Sequence, residues 1–103
     1  MIFVIATSVL EDNCRDKFIA IVKENIPLVL AEAGCINYTL TGDFDSGIAA
    51  QEKTGDNTVT FVECWESIEH LKAHLAAPHM DSFREKVQGM RKSSSLKILT
   101  PVC

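Results

Sequence analysis

The sequence of 103 residues predicts one α+β domain of the ferredoxin-like type, with the element order β-α-β-β-α-β. Three observations predict this fold. Apolar, β-branched runs of strand length open the chain, recur in its middle and close it. Stretches with apolar residues at helical spacing separate these runs. A length near 100 residues suits a single domain, so residues 1–103 are expected to form one unit.

The first strand and the first helix are predicted from residues 2–34. Residues 2–10 are apolar and mostly β-branched, which favours a strand. Glu11 or Asp12 can cap the helix that follows, where apolar residues recur every three or four positions. Pro27 predicts a kink or a short break in this helix, and Gly34 is expected to cap its end.

The middle of the chain predicts two strands joined by a long connection. Alternating apolar residues predict strands at 35–41 and 58–66. The segment 42–57 is rich in glycine and aspartate and is long for a hairpin loop. A lid, a dimer arm and a simple inserted turn are all compatible with it. One face of the second strand is expected to carry Ile36, Tyr38 and Leu40.

The last third of the chain predicts two helical segments and a closing strand. Ser67 is a suitable cap for a helix that ends near Leu75. A proline fits the first position of a second helical segment at 78–91. The closing strand is predicted at 95–102, and Pro101 suggests an edge position or a strand end.

Composition excludes several classes of function. The chain has 10 Lys and Arg against 14 Asp and Glu, a net charge of −4, and no basic stripe, which argues against nucleic-acid binding. No apolar run reaches the roughly 20 residues of a membrane span. A basic start typical of a signal peptide is absent, so a cytoplasmic location is expected. The scattered cysteines are expected to be reduced and, except for the last, to act as packing residues: Cys14, Cys35, Cys64 and Cys103.

Two of the predicted strands are apolar on both faces. In the first strand Val4 and Phe3 lie on opposite faces, and in the third Phe61 and Val62 do. Helices can cover only one face of such a sheet, so the other needs a second cover. A second copy of the chain, packed on the open sheet face about a two-fold axis, is the simplest solution. The sequence therefore predicts a homodimer.

The residues best suited to binding and catalysis lie on the third predicted strand and in the helices that follow it. Glu63 and Trp65 are two apart, so their side chains lie on the same side of the sheet. His74 and His79 belong to the helices expected to cover that side. A carboxylate, two imidazoles and an indole around one pocket can bind an aromatic substrate and move a proton. The alternative is structural, with Trp65 in the core, Glu63 a satisfied buried acid and the histidines on the surface.

These residues resemble a known family. The stretch F-V-E-C-W-E-S-I-E-H-L-K-A-H-L-A-A-P-H-M-D-S-F, residues 61–83, and E-A-G-C-I-N-Y-T-L, residues 32–40, are similar to the antibiotic biosynthesis monooxygenase domain family. The closest similarity is to its small, stand-alone, quinol monooxygenase-like members. The resemblance implies a dimeric α+β barrel and a pocket between sheet and helices.

The resemblance also implies a reaction. It suggests a monooxygenase that oxidises a small aromatic, phenolic or hydroquinone substrate with O2, without cofactor or metal. His74 and His79 are then the base or hydrogen-bonding candidates, and Glu63 orients them. The substrate-binding residues would be Trp65, Phe83, Phe61, Met80 and Tyr38.

The sequence is also compatible with other functions. The family includes isomerases of a phosphorylated autoinducer, which need a phosphate site; the basic candidates are Arg84, Lys86, Arg91 and Lys92. Its haem-degrading branch is disfavoured, because Arg84 stands where those enzymes have their iron-ligating histidine. A dimer that binds a small ligand without turning it over has the same sequence features. His70 and His74 have the spacing of a metal-binding pair, but no Glu follows His70, so no metal site is predicted.

Overall fold

The computed structural model describes residues 1–103 and contains four strands and three helices. The fold is the predicted ferredoxin-like α+β arrangement, and two separate helices follow the third strand, as predicted. In chain order the elements are β1 (Ile2–Leu10), α1 (Arg15–Leu30), β2 (Cys35–Thr41), β3 (Thr58–Trp65), α2 (Ile68–Leu75), α3 (Pro78–Lys86) and β4 (Arg91–Leu99).

The strands form one antiparallel sheet in the order β2-β3-β1-β4. Glu63 on β3 lies opposite Val4 of β1 and Tyr38 of β2. Because alternate residues of a strand share a face, these three side chains form one row across the sheet. All three are buried, since this is the face that the helices cover. The register therefore places Glu63 and Tyr38 beneath the helices.

Helix α1 begins later than predicted and is not interrupted. Its N-cap is Cys14, which makes no side-chain capping bond, so the predicted caps at Glu11 and Asp12 are wrong. The chain turns sharply just before it, with Asn13 at a φ of 65°. The helix continues through Pro27 to Leu30, so the predicted break is absent. A proline costs the helix one backbone hydrogen bond, and packing against the sheet compensates for that loss.

The prediction that Gly34 caps α1 is wrong, because Gly34 lies beyond the helix in the turn that leads to β2. The C-cap is Ala31. Gly34 has a φ of 79°, and a Cβ atom at this position would lie 2.2 Å from Cγ of His70. Glycine is therefore required here for two reasons, its left-handed backbone and the close approach of α2.

Two strand predictions need correction. In β2 the register shifts between Cys35 and Asn37, and Ile36 at this bulge is 50% exposed instead of sharing the buried face of Tyr38. The helical segment predicted at 78–91 ends at Lys86, and β4 begins at Arg91 rather than at residue 95. Gly89, with a φ of 81°, lies in the turn between them, which glycine favours over continued helix. Pro101 follows the end of β4.

The core lies between the helices and one face of the sheet. Its largest fully buried side chains include Trp65, Phe18, Leu10 and His74. The opposite face is only partly covered: Phe3 and Leu99 are 37% and 48% exposed, and Ile5, Val9 and Val62 are half-buried. Every residue of β4 is exposed. The open sheet face thus carries the apolar surface from which a homodimer was predicted.

The segment 42–57 contains no helix or strand and is closed by its own hydrogen bonds. Asp43 accepts bonds from the backbone N–H groups of Thr54 and Gly55 at 2.8 and 2.9 Å. Gln51 donates to the carbonyl of Phe44 at 2.6 Å. The loop is therefore a surface turn with internal order.

None of the three helices combines the length and the apolar character needed to cross a membrane. The four cysteines are unbonded, with Cys64 buried, Cys14 and Cys35 half-buried and Cys103 exposed.

Candidate active site

The site includes two residues at the end of β3, Glu63 and Trp65. Trp65 is fully buried, and its indole Nε1–H donates a hydrogen bond of 3.0 Å to Oε1 of Glu63. Only 6% of Glu63 is exposed. Burial raises the pKa of the Glu63 carboxyl, although the indole bond and the nearby His74 partly oppose this effect. Glu63 is thus a buried acid with a weakened tendency to ionise.

Helix α2 carries the first histidine of the site. Ser67 is its N-cap, as predicted, and its Oγ accepts the backbone N–H of His70. One turn later His74 faces the sheet and is 2% exposed. Its ring lies 4.6 Å from that of Trp65 and 5.6 Å from that of Tyr38, centroid to centroid. Two aromatic rings therefore fix the orientation of the imidazole.

Helix α3 carries the second histidine. Pro78 occupies the start of the helix, where its missing N–H costs nothing. His79 follows it directly and is 23% exposed, so it connects the buried site with solvent.

Glu32 joins the two histidines. It lies in the turn between α1 and β2 and is 14% exposed. Its Oε2 lies 2.8 Å from Nδ1 of His74 and 2.9 Å from Nε2 of His79. We call Glu32, His74 and His79 the Glu32 triad. A carboxylate at this distance favours a proton on Nδ1 of His74, which leaves Nε2 free to accept one.

A cavity of about 180 Å³ lies between the sheet and helices α2 and α3. Most of its wall is apolar, but five side chains bring polar groups to it. The polar lining residues are Tyr38, Glu63, His74, Arg84 and Arg91, and the apolar ones include Phe61, Leu71, Met80 and Phe83. An apolar cavity with a few convergent polar groups is typical of a small-molecule site.

Two guanidinium groups give the cavity a positive side. Arg84 is held by hydrogen bonds to the carbonyl of Leu75 at 2.6 Å and to Asp81 at 3.0 Å. Arg91, at the start of β4, forms no ion pair with any carboxylate of the chain. The cavity is therefore suited to a ligand that is, or becomes, an anion.

Two other ionisable groups beside the site are unsuited to act as nucleophiles. Burial, together with the charges of Glu63 and Glu32, raises the pKa of Tyr38 far above its usual value. Burial and the Glu32 charge likewise raise the pKa of Cys35. Both groups therefore stay protonated at neutral pH and are weak nucleophiles.

The Glu32 triad also has the composition of a metal site. Its three candidate ligand atoms lie within 4.8 Å of one another, and two histidines with one carboxylate can hold a divalent cation. His70 is outside this group, since its Nδ1 is hydrogen-bonded to Ser67 at 2.7 Å. The spacing of His70 and His74 along α2 therefore does not correspond to a shared ligand set.

Not all of the site residues predicted from the sequence line the cavity. Six of them line the cavity: Tyr38, Phe61, Glu63, His74, Met80 and Phe83. Trp65 lies behind the wall, and His79 lines a separate groove between α1 and α3. Glu32 was not selected from the sequence, although it is the first residue of the E-A-G-C-I-N-Y-T-L motif. Its position in that motif was the available signal.

Comparison with known proteins bears on the family of the chain. The family model for "Antibiotic biosynthesis monooxygenase" matches residues 1–86. The "Probable quinol monooxygenase YgiN" of Escherichia coli K12 is 41% identical over 76 residues, which cover 74% of this chain and 72% of that protein. The Shigella flexneri protein of the same name matches equally well.

Solved structures share the fold at lower identity. A Nitrosomonas europaea protein has a TM-score of 0.83 with 13% identity and covers 100% of both chains. A Mycobacterium tuberculosis protein has a TM-score of 0.80 with 22% identity, covering 99% of this chain and 95% of its own. Taken with the family match, these likenesses show that the chain belongs to the antibiotic biosynthesis monooxygenase family, and so to the monooxygenases among the oxidoreductases.

Proposed function

We propose that this chain oxidises a small phenol or hydroquinone with O2, without a cofactor, and that His74 is the base. The observation that carries the proposal is the setting of His74: it is buried, it lines an apolar cavity, and its Nδ1 is bonded to Glu32. Such a histidine can accept a proton through Nε2 at neutral pH. The name of the Escherichia coli relative, a probable quinol monooxygenase, supports this substrate class.

The proposed reaction begins with the transfer of the phenolic proton to Nε2 of His74. The phenolate then gives one electron to O2, which produces a phenoxyl radical and superoxide. These recombine, and a C–O bond forms at a ring carbon to give a peroxide anion, which takes a proton back from His74 and becomes a hydroperoxide. Loss of the proton from that carbon and cleavage of the O–O bond leave one oxygen as a carbonyl and release the other as hydroxide, which the lost proton converts to water. The protein contributes orientation, the base and shelter from solvent.

In this proposal the Glu32 triad holds the phenolic proton and exchanges it with solvent until the peroxide anion takes one up. Protonated His74 is stabilised by the Glu32 carboxylate at 2.8 Å, and His79 at 2.9 Å from the same oxygen offers an exit toward solvent. The exposed fraction rises along this path, from 2% at His74 to 14% at Glu32 and 23% at His79. Glu32 and His79 are thus positioning and relay residues, whereas His74 contacts the substrate.

The rest of the cavity binds and orients the ring. Phe61 and Phe83 form the aromatic wall, and Met80 adjusts to the shape of the substrate. Arg84 and Arg91 stabilise the developing phenolate. Glu63 orients a substrate hydroxyl, and the protonated phenol of Tyr38 is a hydrogen-bond donor. Trp65 acts through His74, against which it packs.

The test is oxygen uptake with a panel of hydroquinones and phenols, together with mass spectrometry of the product after reaction under ¹⁸O2. We expect one ¹⁸O atom per product molecule and a loss of activity of at least a hundredfold in His74→Ala. Lys72→Ala is the matched control, because Lys72 is exposed on the same helix and does not line the cavity. Activity that is unchanged in His74→Ala contradicts the proposed base.

A phosphorylated-sugar isomerase is a second candidate. Arg84 and Arg91 line the cavity and favour an anion, but Lys86 and Lys92 are paired elsewhere, with Glu24 and Asp12. The apolar wall also offers little to sugar hydroxyl groups. Single-turnover product analysis under air separates the candidates: an oxidised product supports the monooxygenase, an isomer supports the isomerase, and unchanged ligand supports a binding protein.

We further propose that the chain acts as a homodimer in the cytoplasm. The half-covered apolar residues of the open sheet face, Phe3, Ile5, Val9, Val62 and Leu99, support the dimer. The free thiols fit a reducing compartment. Light scattering at micromolar concentration tests the dimer, and thiol counting on protein trapped in cells tests the redox state.

A further inference from the structure

A second and larger cavity, of about 280 Å³, lies outside the candidate active site. It is a groove between α1 and the edge strand β2. Its floor is apolar and is formed by Ile19, Val22, Ile26, Leu40 and Val59. Tyr38 lines both this groove and the cavity of His74, so one side chain separates the two. The volume is close to the lower end of small-molecule sites, roughly 300 Å³.

The groove carries two cations without acidic partners. Arg15 and Lys23 both line it, and neither forms an ion pair within 4.0 Å. Of the other cations, Arg84, Lys53, Lys86 and Lys92 are paired, whereas Lys17, Lys72, Arg91 and Lys97 are not. In a chain with a net charge of −4, acidic side chains are not scarce. Two of the unpaired cations of the chain thus lie together at a surface that is concave and apolar.

Arg15 is also incompletely satisfied. Its Nε is buried and is the one buried side-chain nitrogen or oxygen in the chain without a hydrogen-bond partner. Its Nη2 passes Gly42 so closely that a Cβ atom there would lie 3.2 Å away. Leaving a buried donor unpaired is costly, and a guanidinium offers its donors in a fork that matches a carboxylate. The guanidinium of Arg15 thus has donor capacity that the chain itself leaves unused.

The rest of the groove has little capacity to recognise a polar ligand. The hydroxyl group of Thr39 donates to Asn37, and that of Thr41 donates to the carbonyl of Thr60. Lys23 lies eight residues after Arg15 on α1, about 12 Å along the helix axis, so both cations cannot grip one carboxylate. The chemistry is that of one anionic group at Arg15 and an apolar body that extends toward Lys23.

We propose that this groove is a binding site for a small amphipathic monocarboxylate, whose carboxylate pairs with Arg15 and whose apolar chain lies along α1 and β2. Lys23 adds electrostatic attraction from the far end. The proposal does not depend on the reaction assigned to the His74 cavity, since Tyr38 is the only residue that lines both cavities.

Decanoate is the probe, and isothermal titration calorimetry the measurement. We expect decanoate to bind the wild-type protein with an affinity that falls at high salt, and to bind Arg15→Met at least tenfold more weakly. Arg15→Lys keeps the charge but loses the fork, so an intermediate affinity is expected. Decanol, which has the same chain without the charge, should bind wild-type and Arg15→Met equally. Circular dichroism confirms that each variant is folded.

His74→Ala is the control for location, because His74 lines only the other cavity. Decanoate affinity should be unchanged in this variant. Three results overturn the proposal: no binding of decanoate to wild-type protein at millimolar concentration, equal binding by Arg15→Met, or a loss of binding in His74→Ala that Arg15→Met does not show. The last result would place decanoate in the catalytic cavity instead.

Discussion

Glu32 and His74 are 42 residues apart in the chain, yet Oε2 of Glu32 lies 2.8 Å from Nδ1 of His74. The contact joins the turn after α1 to the middle of α2, and both groups are largely shielded from solvent. Because the same oxygen also contacts His79, one carboxylate controls the protons of two imidazoles. This relationship leads to the first prediction.

Replacing Glu32 with Gln should lower kcat about a hundredfold and change KM by less than about threefold. An amide can still accept one hydrogen bond, but it cannot stabilise a protonated His74 by charge. Nitrogen NMR of the histidines gives an independent readout, since the Nδ1–H tautomer of His74 should lose its preference in the variant. Glu24→Gln is the control, as Glu24 is an exposed glutamate at the surface of α1. An unchanged kcat and an unchanged tautomer would both contradict the role of Glu32.

Replacing Glu63 with Gln should change how stability depends on pH. Burial raises the pKa of the Glu63 carboxyl in the folded state above its ordinary value of 4.5. Between the unfolded and the folded pKa the folded protein therefore binds more protons, so the free energy of unfolding falls as pH rises through this window. The glutamine variant lacks this fall. It should match wild-type stability near pH 4 and exceed it at pH 7.

Urea denaturation at a series of pH values measures this difference. Glu66→Gln is the matched control, since Glu66 is exposed and lies three residues further along the same segment. A variant that is less stable than wild type at pH 7 would show that the ionised Glu63 carboxylate is well compensated in the fold. Parallel curves across the pH range would lead to the same conclusion.

How far the sequence alone predicts this molecule depends on the range of the interaction. The spacing of apolar residues, every second position in strands and every three or four in helices, locates all four strands and the helices. It does so because the buried face of an element is formed by residues close together in the chain. The pairing of Glu63 with Trp65 is likewise local, two residues apart on one strand. The Glu32 contact is not, since it depends on where a turn after α1 meets α2. The buried amide of Asn25, which donates to Sδ of Met80, was missed for the same reason.

Local signals also failed where tertiary contacts override them. Gly34 carries the positive φ of a helix cap, but its position reflects the approach of the His70 ring rather than the end of α1. Pro27 is a helix breaker by propensity, yet α1 continues through it. The position of Gly34 cannot be read from a window of neighbouring residues, because its decisive partner, His70, is on α2.

Replacing Phe3 with Lys should shift the proposed dimer toward monomer. Phe3 lies on the open sheet face and is 37% exposed in the single chain, so the change leaves the core beneath the helices intact. At a two-fold interface each copy would receive a new charge against apolar surface. Light scattering across a dilution series measures the effect, and Leu28→Lys on exposed α1 surface is the control. A wild-type protein that is monomeric at micromolar concentration would contradict the dimer.

Replacing Gly34 with Ala should destabilise the protein by about 3 kcal/mol, and replacing Gly89 should cost only about 1–2 kcal/mol. Both glycines have nearly the same left-handed φ, 79° and 81°, so the backbone strain of an alanine is similar at the two sites. The two sites differ in the room available for a side chain. A Cβ atom at Gly34 would lie 2.2 Å from the His70 ring, whereas a Cβ atom at Gly89 would have no neighbouring atom within 4 Å. The difference between the two variants in urea denaturation therefore isolates the packing of α2 against this turn. Since that turn also carries Glu32, Gly34→Ala should lower kcat as well, and Gly89→Ala should not. Equal losses of stability in both variants would show that α2 yields without cost, and the Glu32 triad would then not depend on this close approach.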